Sequence, residues 1–224
     1  MKSFNLEIFK GHAIIRDADN IILVDTGAPS TVNETTSFSF FNKEYNTITN
    51  YMGLIVENLS ELLGMKITTL LGADILCEYK IVFDYKNSQI LFSEDEIDFE
   101  GEEVLLNSFM GIPIITLMIE NKPINCFLDT GAQLSYLPST ITASYQSSGT
   151  KEDFYPGVGR FNTNCFKINT AIGKESFEVN YGNLPEILQM TLMMADTQGI
   201  IGFDFFNKFR VKLDLSNNIL QYSS

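Results

Sequence analysis

Apolar residues along this chain come in short runs separated by polar or glycine-bearing turns. HAIIR (12–16) leads through DADN into IILV (21–24), and PIITLMI (113–119) leads through ENKP into INCFL (124–128). Each set reads as a hairpin of two strands with one buried face. Helical periodicity is scarce. The stretch ENLSELLGMK predicts one short helix, with Asn58 or Ser60 as its N-cap and Gly64 as its stop. Short strands with frequent turn signals predict an all-β architecture with a few short helices.

The pattern repeats. Both hairpins run directly into the same four residues, DTGA, at 25–28 and at 129–132. A second matched pair follows, TLLGADILCEYKIVFDYKNSQILFS (69–93) and GIIGFDFFNKFRVKLDLSNNILQYS (199–223). In each, two apolar residues precede a glycine, and Asp84 or Asp214 lies 12 residues after it (84 − 72 and 214 − 202). Agreement over 25 ungapped residues predicts two related halves. We place them at 1–98 and 104–224, joined by an acidic linker at 99–103. The surrounding SEDEIDFEGEE has seven acidic residues in eleven and reads as a solvated linker or edge strand. From Gly27 to Gly72 is 45 residues, whereas from Gly131 to Gly202 is 71, so the second half carries 26 more. The β-type runs within YPGVGRFNTNCFKINTAIGKESFEVNY predict extra hairpins there.

Charge and composition narrow the classes of function. The 224 residues, 45% hydrophobic, suffice for a substantial core. A net charge of −13 repels phosphate backbones and anionic lipid, so neither nucleic acid nor a membrane is an expected partner. The N-terminal stretch lacks a secretory pattern. Three scattered cysteines, Cys77, Cys126 and Cys165, suit reduced thiols in a cytoplasmic setting. With a single histidine, His12, no metal site is expected. His12 itself reads as a structural or surface residue, and no cofactor motif is evident.

Two equivalent loops that each deliver an aspartate at a strand end bring Asp25 and Asp129 together across a pseudo-twofold axis. Carboxylates held about 3 Å apart cannot both ionise, so the pair shares a proton. One member is then a base and the other an acid, a pairing suited to water-mediated amide hydrolysis without metal or covalent intermediate. Gly27 and Gly131 allow close approach of backbone to carboxylate, where a β-carbon would collide. Thr26 and Thr130 can reach the opposite loop and lock the halves together. Leu70-Leu71 before Gly72, and Ile200-Ile201 before Gly202, can back the two loops with apolar strands.

Paired Asp-Thr-Gly motifs, each followed by hydrophobic-hydrophobic-Gly, resemble the pepsin-like and retropepsin-like aspartic proteases over nearly the whole chain. The resemblance implies a bilobal, pseudo-twofold fold of two retropepsin-like β-barrel halves. It implies an aspartic endopeptidase with Asp25 and Asp129 catalytic, a peptide or protein substrate, and a monomer sufficient for the active site. The short chain, and DTGA in place of DTGS or DTGT, favour the retropepsin side. The first half lacks room for the hairpin flap of pepsin-like enzymes, and Tyr45 and Tyr51 read as surface or packing residues. A flap from the second half is the expectation, with Tyr155, Gly157 and Gly159 near its tip; an ordinary surface hairpin is the competing reading. Two other functions stand against hydrolysis: a peptide-binding module of the same fold with weak or no turnover, and a structural β-protein with coincidental motifs.

Overall fold

The computed structural model describes residues 1–155 and 158–224. Two matched sheets, one in each half, sit on a third sheet to which both halves contribute. In the first half the order is Glu7–Phe9, His12–Asp17, Asn20–Val24, Thr69–Leu71, Val32–Asn33. In the second it is Asn107–Phe109, Ile112–Ile119, Lys122–Leu128, Gly199–Ile201, Ser135–Tyr136, continued by Glu175–Gly182, Gly159–Ile172 and Gly149–Tyr155. The first five strands of each correspond one to one. The three that continue the second sheet lie in the longer connection of that half, where extra hairpins are expected. Met118 and Ile119 also pair with Ala171 and Thr170, which curls this sheet towards a barrel.

The binary pattern explains the strands. Along Ile112–Ile119 buried and exposed positions alternate in the outer part, while the inner part is buried on both faces. The parallel pairings of Val24 with Leu71 and of Leu128 with Ile201 bury a strand between two others. Such continuous apolar runs are what lead into each Asp-Thr-Gly.

The third sheet has six strands, in the order Lys2–Asn5, Gln89–Ser93, Lys80–Asp84, Arg210–Asp214, Ile219–Ser223, Glu102–Leu105. Three neighbouring strands come from each half, and the halves meet at one antiparallel seam that pairs Lys80 with Asp214 and Val82 with Lys212. Lys80 bonds Asp214 at 2.8 Å and Arg210 bonds Asp84 at 3.4 Å, two corresponding ion pairs across the seam. Beneath them Phe83 meets Phe206 with ring centroids 5.2 Å apart, inside a core cluster drawn from both halves. Glu102–Leu105 is an edge strand, and Phe99 just before it is buried against Val82 and Ile97.

The predicted helix forms as Val56–Leu63 and ends at Gly64 in the left-handed conformation (φ 76°). Its start differs from expectation. The N-cap position is Ile55, without a side-chain cap, and Ser60 lies inside the helix, where its hydroxyl donates to the Val56 carbonyl at 2.7 Å and accepts from the Ile67 N–H at 3.0 Å. Ser60 thus ties the helix to the chain beyond it rather than opening it. A second helix of similar length, Glu186–Met194, was not expected; Leu188 and Leu192 bury one face of it. Among the described residues no helix is long and apolar enough to cross a membrane.

Candidate active site

Each Asp-Thr-Gly loop leaves its strand under the same constraint. The Asp25 N–H donates to the Leu71 carbonyl at 3.0 Å and the Asp129 N–H to the Ile201 carbonyl at 2.9 Å. The apolar pairs before Gly72 and Gly202 therefore hold the aspartates at the strand ends. A β-carbon on Gly72 would lie 2.7 Å from the Ser30 backbone, and one on Gly202 would collide with the carbonyl oxygen of Ala132. The amides of both glycines donate to hydroxyls six residues beyond the aspartates, Gly72 to Thr31 at 3.0 Å and Gly202 to Ser135 at 3.1 Å. Thr31 is in turn held by Asp74. Thr31, Ser135 and Asp74 were not among the expected site residues, although their fixed distance from each DTG was a readable signal for the first two.

The two threonines cross between the halves. The Thr26 hydroxyl donates to the Leu128 carbonyl at 2.7 Å and accepts from the Thr130 N–H at 3.0 Å. Thr130 reciprocates, donating to Val24 at 2.7 Å and accepting from the Thr26 N–H at 3.0 Å. Both residues are buried, so these four bonds form in a dry interior.

The carboxylates consequently face one another. Gly27 N–H donates to Asp25 at 2.9 Å and Gly131 N–H to Asp129 at 2.7 Å. A β-carbon on Gly27 would fall 2.3 Å from the carboxyl carbon of Asp129, and one on Gly131 2.5 Å from that of Asp25, so each glycine lies under the opposite aspartate. Burial pushes the Asp25 carboxyl well above the usual range, and the charge of Asp129 and the hydrogen bond between them push it further. Burial also raises Asp129, against the stabilising bonds from Gly131 and Asp25. One proton shared by the pair is the physical outcome.

The pair lines a cavity of about 560 Å³ walled mainly by apolar side chains, among them Leu23, Leu59 and Leu70 from one half and Phe127, Leu188 and Ile200 from the other. The helix Glu186–Met194 forms much of the second wall; the spacing of Leu184, Leu188 and Leu192 was the available signal for it. Tyr45 packs away from the cavity, its hydroxyl 2.7 Å from that of Tyr79, as expected of a packing residue. Tyr51 does not: it lines the cavity beside Met52 and Leu54, at a tight turn where Tyr51 and Leu54 pair. The polar sequence around it concealed this, because a turn tip can be polar outside and still aim one ring inward.

The hairpin Gly149–Tyr155 and Gly159–Ile172 brings Asp153, Phe154, Tyr155 and Phe161 to the same cavity. Tyr155 pairs with Gly159 across the turn, and burial together with the two aspartates raises its hydroxyl to about 12. Gly157 lies outside the described residues. Near the tip of this hairpin, where it pairs with Phe161, Asp153 accepts bonds from Tyr136, from Gln133 and from its own neighbour Phe154. His12, expected to be structural or surface, is buried on the cavity wall under Phe154, with ring centroids 5.6 Å apart.

Among the described residues no group of histidine, cysteine or carboxylate side chains is arranged to hold a metal. Residues 111–214 match the family model of the retroviral aspartyl protease. That match lies within the second half, and the chain resembles the retropepsin-like aspartic proteases. A solved structure of a retropepsin-like aspartic protease from Rickettsia conorii is similar at 15% identity, over 55% of this chain and 91% of that one, with a TM-score of 0.38. No curated protein matches the chain.

Proposed function

We propose that this chain is an aspartic endopeptidase whose two halves, 1–98 and 104–224, each supply one catalytic aspartate. The carrying observation is the facing pair Asp25 and Asp129, half-buried in the cleft, each over the glycine of the opposite loop, on loops locked by Thr26 and Thr130. The ionised member takes a proton from a water while the protonated member donates to the oxygen of the scissile carbonyl. Water oxygen bonds to carbon, giving a tetrahedral diol; its collapse breaks the C–N bond as the amine takes up a proton. The apolar walls favour a peptide segment in extended form, and the hairpin carrying Tyr155 is the flap that covers it. Both aspartates belong to one chain, so a monomer completes the site. Three free cysteines support a cytoplasmic setting, and the corresponding sheets support an internal duplication.

The test is hydrolysis of a fluorogenic peptide library. Cleavage blocked by a statine-type inhibitor, and lost in both Asp25→Asn and Asp129→Asn, is the expected result. Peptides that bind the wild-type chain and emerge intact would show a binding module instead.

A further inference from the structure

The flap hairpin belongs to the second half, but its first contact beyond the cleft is with the first. The helix Val56–Leu63 ends with carbonyls that have no intrahelical donor. The N–H groups of Gly64 and Met65 both turn back to the Ser60 carbonyl. Lys10 donates to Leu63 at 3.0 Å. The carbonyls of Leu62 and Glu61 receive the Arg160 guanidinium, at 2.7 and 3.3 Å. This last turn carries no basic residue of its own, and the negative end of a helix favours a cation. Lys10 supplies one from the same half, and Arg160 a second from across the cleft. Glu152, on the other strand of the hairpin, holds the guanidinium at 2.9 Å.

The same rim is closed underneath. Phe154 packs with the apolar cluster of the first half that includes Leu59 and Leu63, and covers the His12 ring. Neither nitrogen of His12 has a hydrogen-bond partner; the Gly131 backbone approaches the ring without meeting that geometry. Burying an unpaired imidazole costs free energy, so the ring favours opening of its cover and reports on it. The cover is held by a wet contact, since the Arg160 and Glu152 side chains are 45% and 56% exposed, so it can open and reclose.

We propose that Arg160 is a positioning residue that latches the flap across the cleft onto the C-terminal end of the helix Val56–Leu63, making flap closure over a peptide and docking of the two halves at this rim one event. The kinetic consequence rests on the proteolytic reading; the structural one does not. A charge-assisted bond at a solvated rim changes an equilibrium about three- to tenfold.

The experiment compares wild type, Arg160→Gln and Arg160→Lys by two readouts. In peptide hydrolysis, Arg160→Gln raises KM and lowers kcat/KM about three- to tenfold, with Tm held within about 2 °C. Lysine restores part of the loss, because it keeps the charge but cannot span two carbonyls. The second readout needs no activity. His12 is the only histidine, so its ring resonance is unambiguous by NMR. Burial holds it at about 4 in the closed chain, and unlatching lets it rise towards the ordinary value near 6.5. The titratable groups at this end of the cleft are Lys10 on its own hairpin, Asp129 on the opposite loop, and Asp153 and Tyr155 on the flap strand; none is altered in these variants. An His12 titration identical in wild type and Arg160→Gln, or an unchanged kcat/KM, overturns the latch. Absence of hydrolysis by wild type overturns the proteolytic reading alone. The histidine titration, with the affinity for a statine-type peptide, then decides the latch by itself.

Discussion

Replacing Thr26 by valine keeps the side-chain shape and removes only the hydroxyl. Two bonds go with it, the 2.7 Å donation to the Leu128 carbonyl and the 3.0 Å acceptance from the Thr130 N–H. Both partners lie in the dry interior between the halves, where water cannot replace the lost oxygen. Leaving a buried polar group unpaired costs about 1–3 kcal/mol, so two groups cost roughly 2–6 kcal/mol. A chain of this size loses about 2–4 °C of Tm for each kcal/mol. The expected drop for Thr26→Val is therefore about 4–24 °C. Thr130→Val breaks the other two bonds of the same network, so its effect should be similar, and the double variant should depart from the sum because the two residues bond each other. Thermal unfolding followed by circular dichroism provides the measurement, with Thr26→Ser as the control that retains the hydroxyl. Hydrolysis should fall as well, because the same bonds hold the two aspartates in register. A Thr26→Val variant melting within about 1 °C of wild type would refute the reasoning, and with it the view that these hydroxyls join the halves.

Three further outcomes are expected. Asp25→Asn and Asp129→Asn should each abolish hydrolysis; they should also stabilise the fold at pH 7 and leave it unchanged near pH 3, as chemical denaturation at the two pH values can check. The sign follows from both carboxyls being raised in the folded chain: the folded state then binds more protons than the unfolded one, and stability falls as pH rises above the ordinary carboxylate range through the raised values. The pH–rate profile should peak in weakly acidic to neutral solution, since Ala28 and Ala132 offer no hydroxyl to favour the charged forms; a maximum below about pH 3 would contradict this. Asp214 behaves oppositely. Burial pushes it up, but the Lys80 ammonium with Asn217 and Ser216 outweighs this and lowers it to about 2. Asp214→Asn should cost roughly 1 kcal/mol at neutral pH, a difference that disappears as acid titrates wild type through that value, read from urea midpoints across pH.

What the sequence disclosed was whatever repeated or alternated. The four matched segments contain both aspartates, both threonines and the glycines beneath them, because close backbone approach and strand burial restrict residue type locally. The lining of the cavity was less legible. Tyr51 sits in a polar turn, and Phe154 and Asp153 lie in a hairpin whose outward residues are charged, so their direction is set by tertiary packing rather than by any period. His12 looked like an ordinary strand residue until the other half of the molecule was placed over it. The start of the helix at Val56 was missed because no capping side chain marks it; tertiary contacts of Val56 and Leu59 hold that end instead.

The single seam of the six-stranded sheet bears on how the two halves could come to differ. Each half contributes its three strands as an unbroken block, so joining them needs one edge-to-edge match, the same operation by which two separate chains would pair. The linker turns that encounter into an intramolecular one and makes it independent of protein concentration. It also ends a restriction. A surface that must pair with its own copy cannot change on one side only, whereas each half here meets a single fixed partner. His12 can therefore stand where the second half has Ile112, and one half can carry an extended hairpin where the other has the short pair Ser37–Phe40 and Lys43–Asn46 and the helix end that receives Arg160.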